Sequence, residues 1–563
     1  MNRLPHAVAL VVVLLAGFEP SPAGAQTRLV KDLNTAAGIG SFPSGGVFFK
    51  GKLYFTADEG GVEGRQVWSS DGTAQGTAKI CATPCRWSNA SSSQLKEFNG
   101  SLYFLANSQE LWKTDGTTTA MVMDLGPAAT NVVGSNMEVF EGALYFMTTA
   151  PATTGTVWRT DGTSAGTVAA GSLSVSNFPS TSISLQATPR GLYATVSLGS
   201  FGSLYRLDHG SFTSIAGAAH GIGPLRSFGS FDYFSFFGAS DIRLYRTDGT
   251  ASGTSQFNSC TVAGVVVLNG SLYYGCPYFG GAGLYKSDGT SQGTATISSL
   301  QANDLVDANG RLMFSDGELG KSDGTAAGTV RVLDINPGAN SYPSNLTVSG
   351  SELFFFANDG THGEELWRSD GTAPGTTLVQ DINPGSGAGK PSTVMITPTP
   401  LGVFFSANDG QSGPELYLLP SIALYRLYSD ATKEHLYTTD AFEDYTLGTF
   451  GWLREGVAFR LYPDDALQQG IRPIGLHRLY HPFTRQHLWT TDANEAAVLP
   501  QRGWTYEGLS GYVLPSAIPG SAPLYRMALA SPPLHLWTTD PNEYQVLQGL
   551  GWAPEGFIGH VIR

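Results

Sequence analysis

The sequence predicts an all-β protein: a multi-bladed β-propeller of about eight or nine blades, then a small pseudo-threefold, trefoil-like β-rich domain. Three observations carry this. Asp-Gly-Thr recurs at Asp71, Asp115, Asp161, Asp248, Asp288, Asp323 and Asp370, with a worn copy at Asp208, at spacings of 44, 46, 47, 40, 40, 35 and 47 residues. Around each copy lie short apolar runs bounded by Gly, Asn, Asp or Pro. After Pro420 the repeat becomes His-Leu-(Tyr or Trp)-Thr-Thr-Asp, starting at His435, His487 and His535.

The N-terminus bears on compartment. Arg3, the apolar stretch from Ala7 to Phe18 and the small residues Ala23 and Ala25 make residues 1–25 a signal peptide. The apolar stretch is shorter than the roughly 20 residues a spanning helix needs. The chain is therefore expected to be secreted, at the cell surface or in the periplasm, and not to span a membrane. A net charge of −14 argues against nucleic acid as a partner. With 70 Gly and only 14% charged residues, turns outweigh helices.

Residues 26–420 form the propeller region. In the copy from Leu346 to Gly385, the runs LTV, ELFFFA, ELW and TLVQDI read as four strands separated by SG, NDG and DGT turns. Four strands per unit, repeated, is the pattern of a propeller blade. LVKDL at Leu29–Leu33 matches the last strand of a unit, and the final unit, from Val403 to Leu419, stops after its third. Pairing 29–33 with 415–419 would close the ring and remove an exposed sheet edge. The Trp of each ELW-like run, at Trp68, Trp112, Trp158 and Trp367, reads as core.

These residues resemble the ELWxxDGT repeat of secreted and surface-exposed bacterial proteins, over nearly the whole region. The resemblance implies a repeat scaffold without an established activity, and it supplies no catalytic residue. The DGT carboxylates have two readings. Calcium could use Asp and carbonyl oxygens in Gly-rich loops, with Asp359, Glu364 and Glu365 as the best set. An Asp–Gly turn with a Thr hydroxyl satisfying backbone groups explains the same letters and is preferred. No other cofactor is expected.

Four cysteines stand in an exported chain, so the expected pairs are Cys81 with Cys85 and Cys260 with Cys276. A CxxxC metal site is the alternative, but no nearby His or Cys pair completes four ligands.

Residues 421–563 hold three copies of the second repeat. Each has a strand-like run, the His-Leu-aromatic run, a short helix opened by TTDxxE, and a Gly-Trp pair leading to Glu455, Glu507 or Glu555. Asp440–Glu443, Asp492–Glu495 and Asp540–Glu543 have capping-box spacing. HLWTTD with GWxxEG resembles a three-repeat module of unassigned function in secreted bacterial proteins, and implies an accessory or binding role. The binding reading places a sugar platform at Tyr437, Trp489 and Trp537. Around it, His435, His487, His535, Asp440, Asp492 and Asp540 supply hydrogen bonds. Metal binding by converging His is a second reading. The simpler account is that repeated letters preserve a repeated fold.

No G-x-S-x-G, H-E-x-x-H, P-loop or βαβ-type G-x-G-x-x-G is present, so common hydrolase and nucleotide signatures fail. The expectation is an exported, non-catalytic binding or scaffold protein recognising polysaccharide, cell-envelope glycan or surface proteins. A hydrolase working in the propeller channel and a purely structural surface protein are the alternatives.

Overall fold

The computed structural model describes residues 27–562 except 37, 62, 82–84, 86–94, 108, 127–135, 150–153, 175–180, 199–200, 209, 239–241, 259, 261, 277–281, 309, 350–351, 370, 374–375, 400, 421, 440, 463–470, 485, 518–520 and 532. The proposed signal peptide, Asp370 and Asp440 lie outside the described residues.

The apolar runs between turns form short antiparallel strands, and the strands group into units of four, or five in the unit 221–258 where two short strands share the place of the first. In chain order, blades 1 to 8 occupy residues 44–79, 96–124, 138–174, 181–219, 221–258, 264–298, 303–333 and 344–378. Blades 3 and 4 also touch through one parallel pair, Ser172 with Ser211. Blade 9 takes three strands from residues 396–420 and its fourth from Arg28–Lys31. That strand runs antiparallel to Pro414–Pro420, with Arg28 opposite Leu418 and Leu29 opposite Tyr417. The ring thus closes as the split terminal unit implies, and the described residues make nine blades.

Burial explains why the ring is continuous. Each junction between neighbouring blades holds its own hydrophobic cluster. Phe354, Phe356 and Leu366 pack on Phe405 and Tyr417 between blades 8 and 9. At the closure, Val30, Leu33 and Leu418 pack on Leu53, Phe55 and Trp68. Burying one large apolar side chain contributes about 1.5–3 kcal/mol, so the N-terminal strand is anchored by Val30 and Leu33 as well as by its ladder. Trp68 and Trp367 are buried, as the core reading expects. Trp112 and Trp158 are half-buried and stack on Phe104 and Phe146.

Both disulfides are present. Cys81–Cys85 closes a short loop after blade 1. Cys260 follows the last strand of blade 5 and Cys276 ends the second strand of blade 6, so this bridge spans two blades.

The C-terminal residues form three like units. The first pairs Ile422–Ser429 with Glu434–Thr438 and Leu453–Leu461, with helix Ala441–Thr449 between the last two. The second uses Ile474–His481, Gln486–Thr490 and Thr505–Val513, with helix Ala493–Val498. The third uses Ser521–Ala530, Pro533–Thr538 and Ala553–Ile562, with helix Pro541–Gly549. The closing strands meet around a pseudo-threefold axis through the pairs Arg460–Ile562, Tyr462–Tyr512 and Leu514–His560.

Candidate functional site

Residues two apart in a strand share a face, so His435 and Tyr437, His487 and Trp489, and His535 and Trp537 lie together, as the sequence suggests. That face turns inward. Tyr437, Trp489 and Trp537 are each 1% exposed. They meet edge to face around the threefold axis, with centroids 5.6 Å apart for Tyr437–Trp489 and Tyr437–Trp537 and 5.3 Å for Trp489–Trp537. Stacking on a sugar needs an open ring face, and these rings have none. The platform reading is therefore corrected: these aromatics are the centre of the module's core.

The triad is asymmetric, and so are its surroundings. Where repeat 1 carries Tyr437 instead of Trp, it also carries Phe459 where the other repeats carry Gly511 and Gly559. Phe459 packs 6.2 Å from the Tyr437 ring. A Cβ on Gly511 would stand 2.8 Å from Leu461, and one on Gly559 would stand 2.5 Å from Val513. The Tyr437 hydroxyl donates to Trp537 O at 2.5 Å and accepts from Trp537 N–H at 3.1 Å.

The charged residues of the motif form a closed cycle. Arg426, Arg478 and Arg526 each hold the Gly-Trp-following Glu of their own repeat: Nε stands 2.6 Å from Glu455, 2.9 Å from Glu507 and 2.8 Å from Glu555. Each also reaches the helix Glu of the preceding repeat, Glu543 at 3.0 Å, Glu443 at 3.0 Å and Glu495 at 2.9 Å respectively. The three repeats are thereby tied head to tail. Burial would raise the Glu443 carboxyl, but Arg478 and Thr438 outweigh it and hold it below the ordinary range. His435, His487 and His535 stand 3.7–3.8 Å from the same inner glutamates. Burial pushes His435 and His535 down, which keeps them neutral near pH 7.

The capping reading holds for Asp492 and Asp540 and fails for Glu495 and Glu543. Asp492 accepts from Asn494 N–H and Glu495 N–H, and Asp540 accepts from Asn542 N–H. Their own amides donate to Thr490 and Thr538, so a glutamate at the third helical position has no cap to complete. It is spent on the neighbouring repeat's arginine instead. Asp440 lies outside the described residues.

The DGT carboxylates are turn-formers. In Asp71, Asp161, Asp248, Asp288 and Asp323, Oδ1 accepts the N–H and the hydroxyl of the Thr two residues on. The turn also joins blades. The basic residue two before one DGT-type Asp reaches the Gly carbonyl of the next copy: Lys113 to Gly162 at 2.9 Å, Arg246 to Gly289 at 3.1 Å, Lys321 to Gly371 at 2.7 Å. At the closure, Arg28 on the N-terminal strand reaches Gly72 at 3.0 Å.

The calcium set does not converge. Asp359 accepts from Thr361 N–H and His362 N–H, Glu364 pairs with Lys390 at 3.0 Å, and Glu365 is buried against the amide of Asn383. Among the described residues no three acidic, His or Cys side chains are grouped to hold a metal. Two adjoining concavities lie elsewhere, on blade 7, at about 580 Å³ and about 340 Å³. Arg331 and Asn340 line both.

A family model described as "Domain of unknown function (DUF5648)" matches residues 423–562. No curated protein matches the sequence. Among solved structures the chain is similar to puromycin hydrolase, at 13% identity and a TM-score of 0.36, covering 69% of this chain and 61% of that one. It is also similar to the computationally designed Ika8 protein, at 12% identity and a TM-score of 0.36, covering 59% and 98%. BamB from Moraxella catarrhalis is similar at 11% identity and a TM-score of 0.30, covering 47% and 76%. Those likenesses carry no activity to this chain, whose C-terminal quarter matches a family of unknown function.

Proposed function

We propose that the chain is an exported, non-catalytic binding scaffold whose ligand is a polysaccharide or a glycan of the cell envelope. The observation that supports it most is that architecture uses the repeated chemistry. DGT carboxylates hold turns, helix glutamates hold neighbouring repeats, and Glu318, Glu365 and Glu415 accept backbone amides of inter-blade loops. A glycosidase needs two carboxylates facing one space in different protonation states, and the repeated acids are otherwise engaged. Two disulfides favour an oxidising compartment.

The test is affinity electrophoresis of residues 26–563 in polysaccharide-loaded gels, with a reducing-end assay on the same polysaccharides. Retardation without new reducing ends is expected. Release of reducing ends would replace this reading with the hydrolase.

A further inference from the structure

We infer that the open face of blade 7 is a binding groove for a segment of uncharged glycan. This rests on the proposed binding role and gives it a location.

The repeats provide an internal control. In blade 8 the pair Ala357–Glu365 encloses seven residues, Asn358–Glu364, and in blade 9 the pair Ala407–Glu415 encloses residues 408–414. The equivalent pair in blade 7, Asp316–Glu318, encloses Gly317 alone. In blades 8 and 9 the longer hairpin lies against the loop to the next blade. A Cβ on Gly363 would stand 2.2 Å from Gly387 O, one on Gly413 would stand 2.3 Å from Gly40 N, and Gln411 O accepts from Gly38 N–H at 3.1 Å. Blade 7 keeps only the base of this arrangement. Gly317 O accepts from Tyr342 N–H at 2.9 Å, and Asn340 packs over Gly317, where a Cβ would come within 2.7 Å.

The volume that a hairpin fills elsewhere is open here. The groove of about 580 Å³ is lined by Arg331, Asp334 and Asn340, and it adjoins a recess of about 340 Å³ that reaches Gln301, Asn303 and Asp316. Each lies within the roughly 300–1,000 Å³ of small-molecule sites. The walls are pre-set. Glu318 accepts from Ile335 N–H, Ser341 N–H and the Ser341 hydroxyl, at 2.9, 2.8 and 2.6 Å, which fixes the loop between blades 7 and 8. Asp316 holds Arg331 through Nε at 3.0 Å and Nη2 at 2.9 Å, and accepts from Gln301 N–H at 2.8 Å.

That lining selects a ligand class. The Arg331 charge is matched by Asp316, and Asp334 adds a further carboxylate, so no net positive charge draws a phosphate, sulfate or uronate. Planar forked groups such as guanidinium, carboxylate and carboxamide suit paired hydroxyls, because two parallel hydrogen bonds fix orientation. Tyr342, whose amide donates to the O of Gly317 in the wall of the smaller recess, is 65% exposed, so its amphipathic ring is open to a ligand chain that extends past the groove. Pre-organised walls also reduce the ordering cost of binding.

The experiment runs residues 26–563 through gels loaded with dextran, galactomannan or a mixed-linkage glucan, and in parallel with pectate or alginate. Two variants accompany it: Tyr342→Ala, and a graft in which Gly317 gives way to Asn-Asp-Gly-Thr-His-Gly-Glu, the blade 8 hairpin. Retardation of the unaltered chain in at least one neutral gel is expected. The graft should abolish it, and Tyr342→Ala should weaken it at least tenfold with an unchanged melting temperature. If the graft is retarded as strongly as the unaltered chain, the groove is refuted while the binding role stands. Retardation in the anionic gels alone overturns the ligand class. Absence of retardation in every gel overturns both proposals.

Discussion

Glu365 should make the propeller lose stability as pH rises from about 4.5 to about 7. Three blades place a buried Glu at the start of the third strand, facing the loop to the next blade. Glu318 and Glu415 each receive a Ser hydroxyl, from Ser341 and Ser41, both at 2.6 Å. At the corresponding position after Glu365 stands Gly389, where a Cβ would come 2.2 Å from Oε2. Glu365 therefore has no hydroxyl partner, and its Oε2 is buried without a hydrogen bond. Burial raises this carboxyl from 4.5 to about 7, with Asp381 adding to the rise. The folded chain thus keeps a proton that the unfolded chain releases. The associated stability is fully present below about pH 4.5 and is lost as pH rises to about 7, after which the effect is flat. At about 1.36 kcal/mol per pH unit, the loss is about 3 kcal/mol. Glu365→Gln removes the titrating group and keeps the shape. Urea midpoints of both proteins from pH 4 to pH 8 should diverge across that window, with the unaltered chain falling relative to the variant. Parallel profiles would refute the assignment and mean that Glu365 is ionised in the folded chain.

Other outcomes follow from the same contacts. Deleting residues 27–34 removes the fourth strand of blade 9 with Val30 and Leu33, each worth about 1.5–3 kcal/mol; the melting temperature should fall sharply, whereas an open solenoid would lose only a terminal strand. Trp489→Ala and Trp537→Ala should each cost about 3–5 kcal/mol by denaturant titration, and a variant that lost polysaccharide binding at unchanged stability would restore the platform reading. Tyr437→Trp should be destabilising by about 1–3 kcal/mol through overpacking against Phe459. Pairing it with Phe459→Gly should recover at least about 1 kcal/mol over the sum of the single changes, and strict additivity in the double-mutant cycle would show that the size exchange is incidental.

What was legible in the sequence divides by the distance between partners. The strand grammar, the DGT turns and the split terminal unit rest on residues within a few positions of one another, or on an obvious repeat, and the structure follows them. The caps divide along the same line. Asp492 and Asp540 bond amides two or three residues on, whereas Glu495 and Glu543 bond arginines on other repeats, at Arg526 and Arg426. The Lys or Arg two residues before six of the seven DGT copies was readable as a charge, but for Lys113, Arg246 and Lys321 the acceptor is a carbonyl some forty or fifty residues away. Strand alternation correctly put each His beside its aromatic but could not say which face met solvent. Leu436 and Tyr437 are consecutive, so they point to opposite faces, and both are buried. When a strand is covered on both sides, periodicity gives grouping without direction. The repeat itself carried the missing signal: the Tyr437–Phe459 and Trp–Gly combinations change together on two strands. An exposed platform would place no such demand on the residue opposite. The same comparison finds the blade 7 groove, because a unit that drops six residues from one hairpin while its neighbours keep them has exchanged covered backbone for open, polar surface.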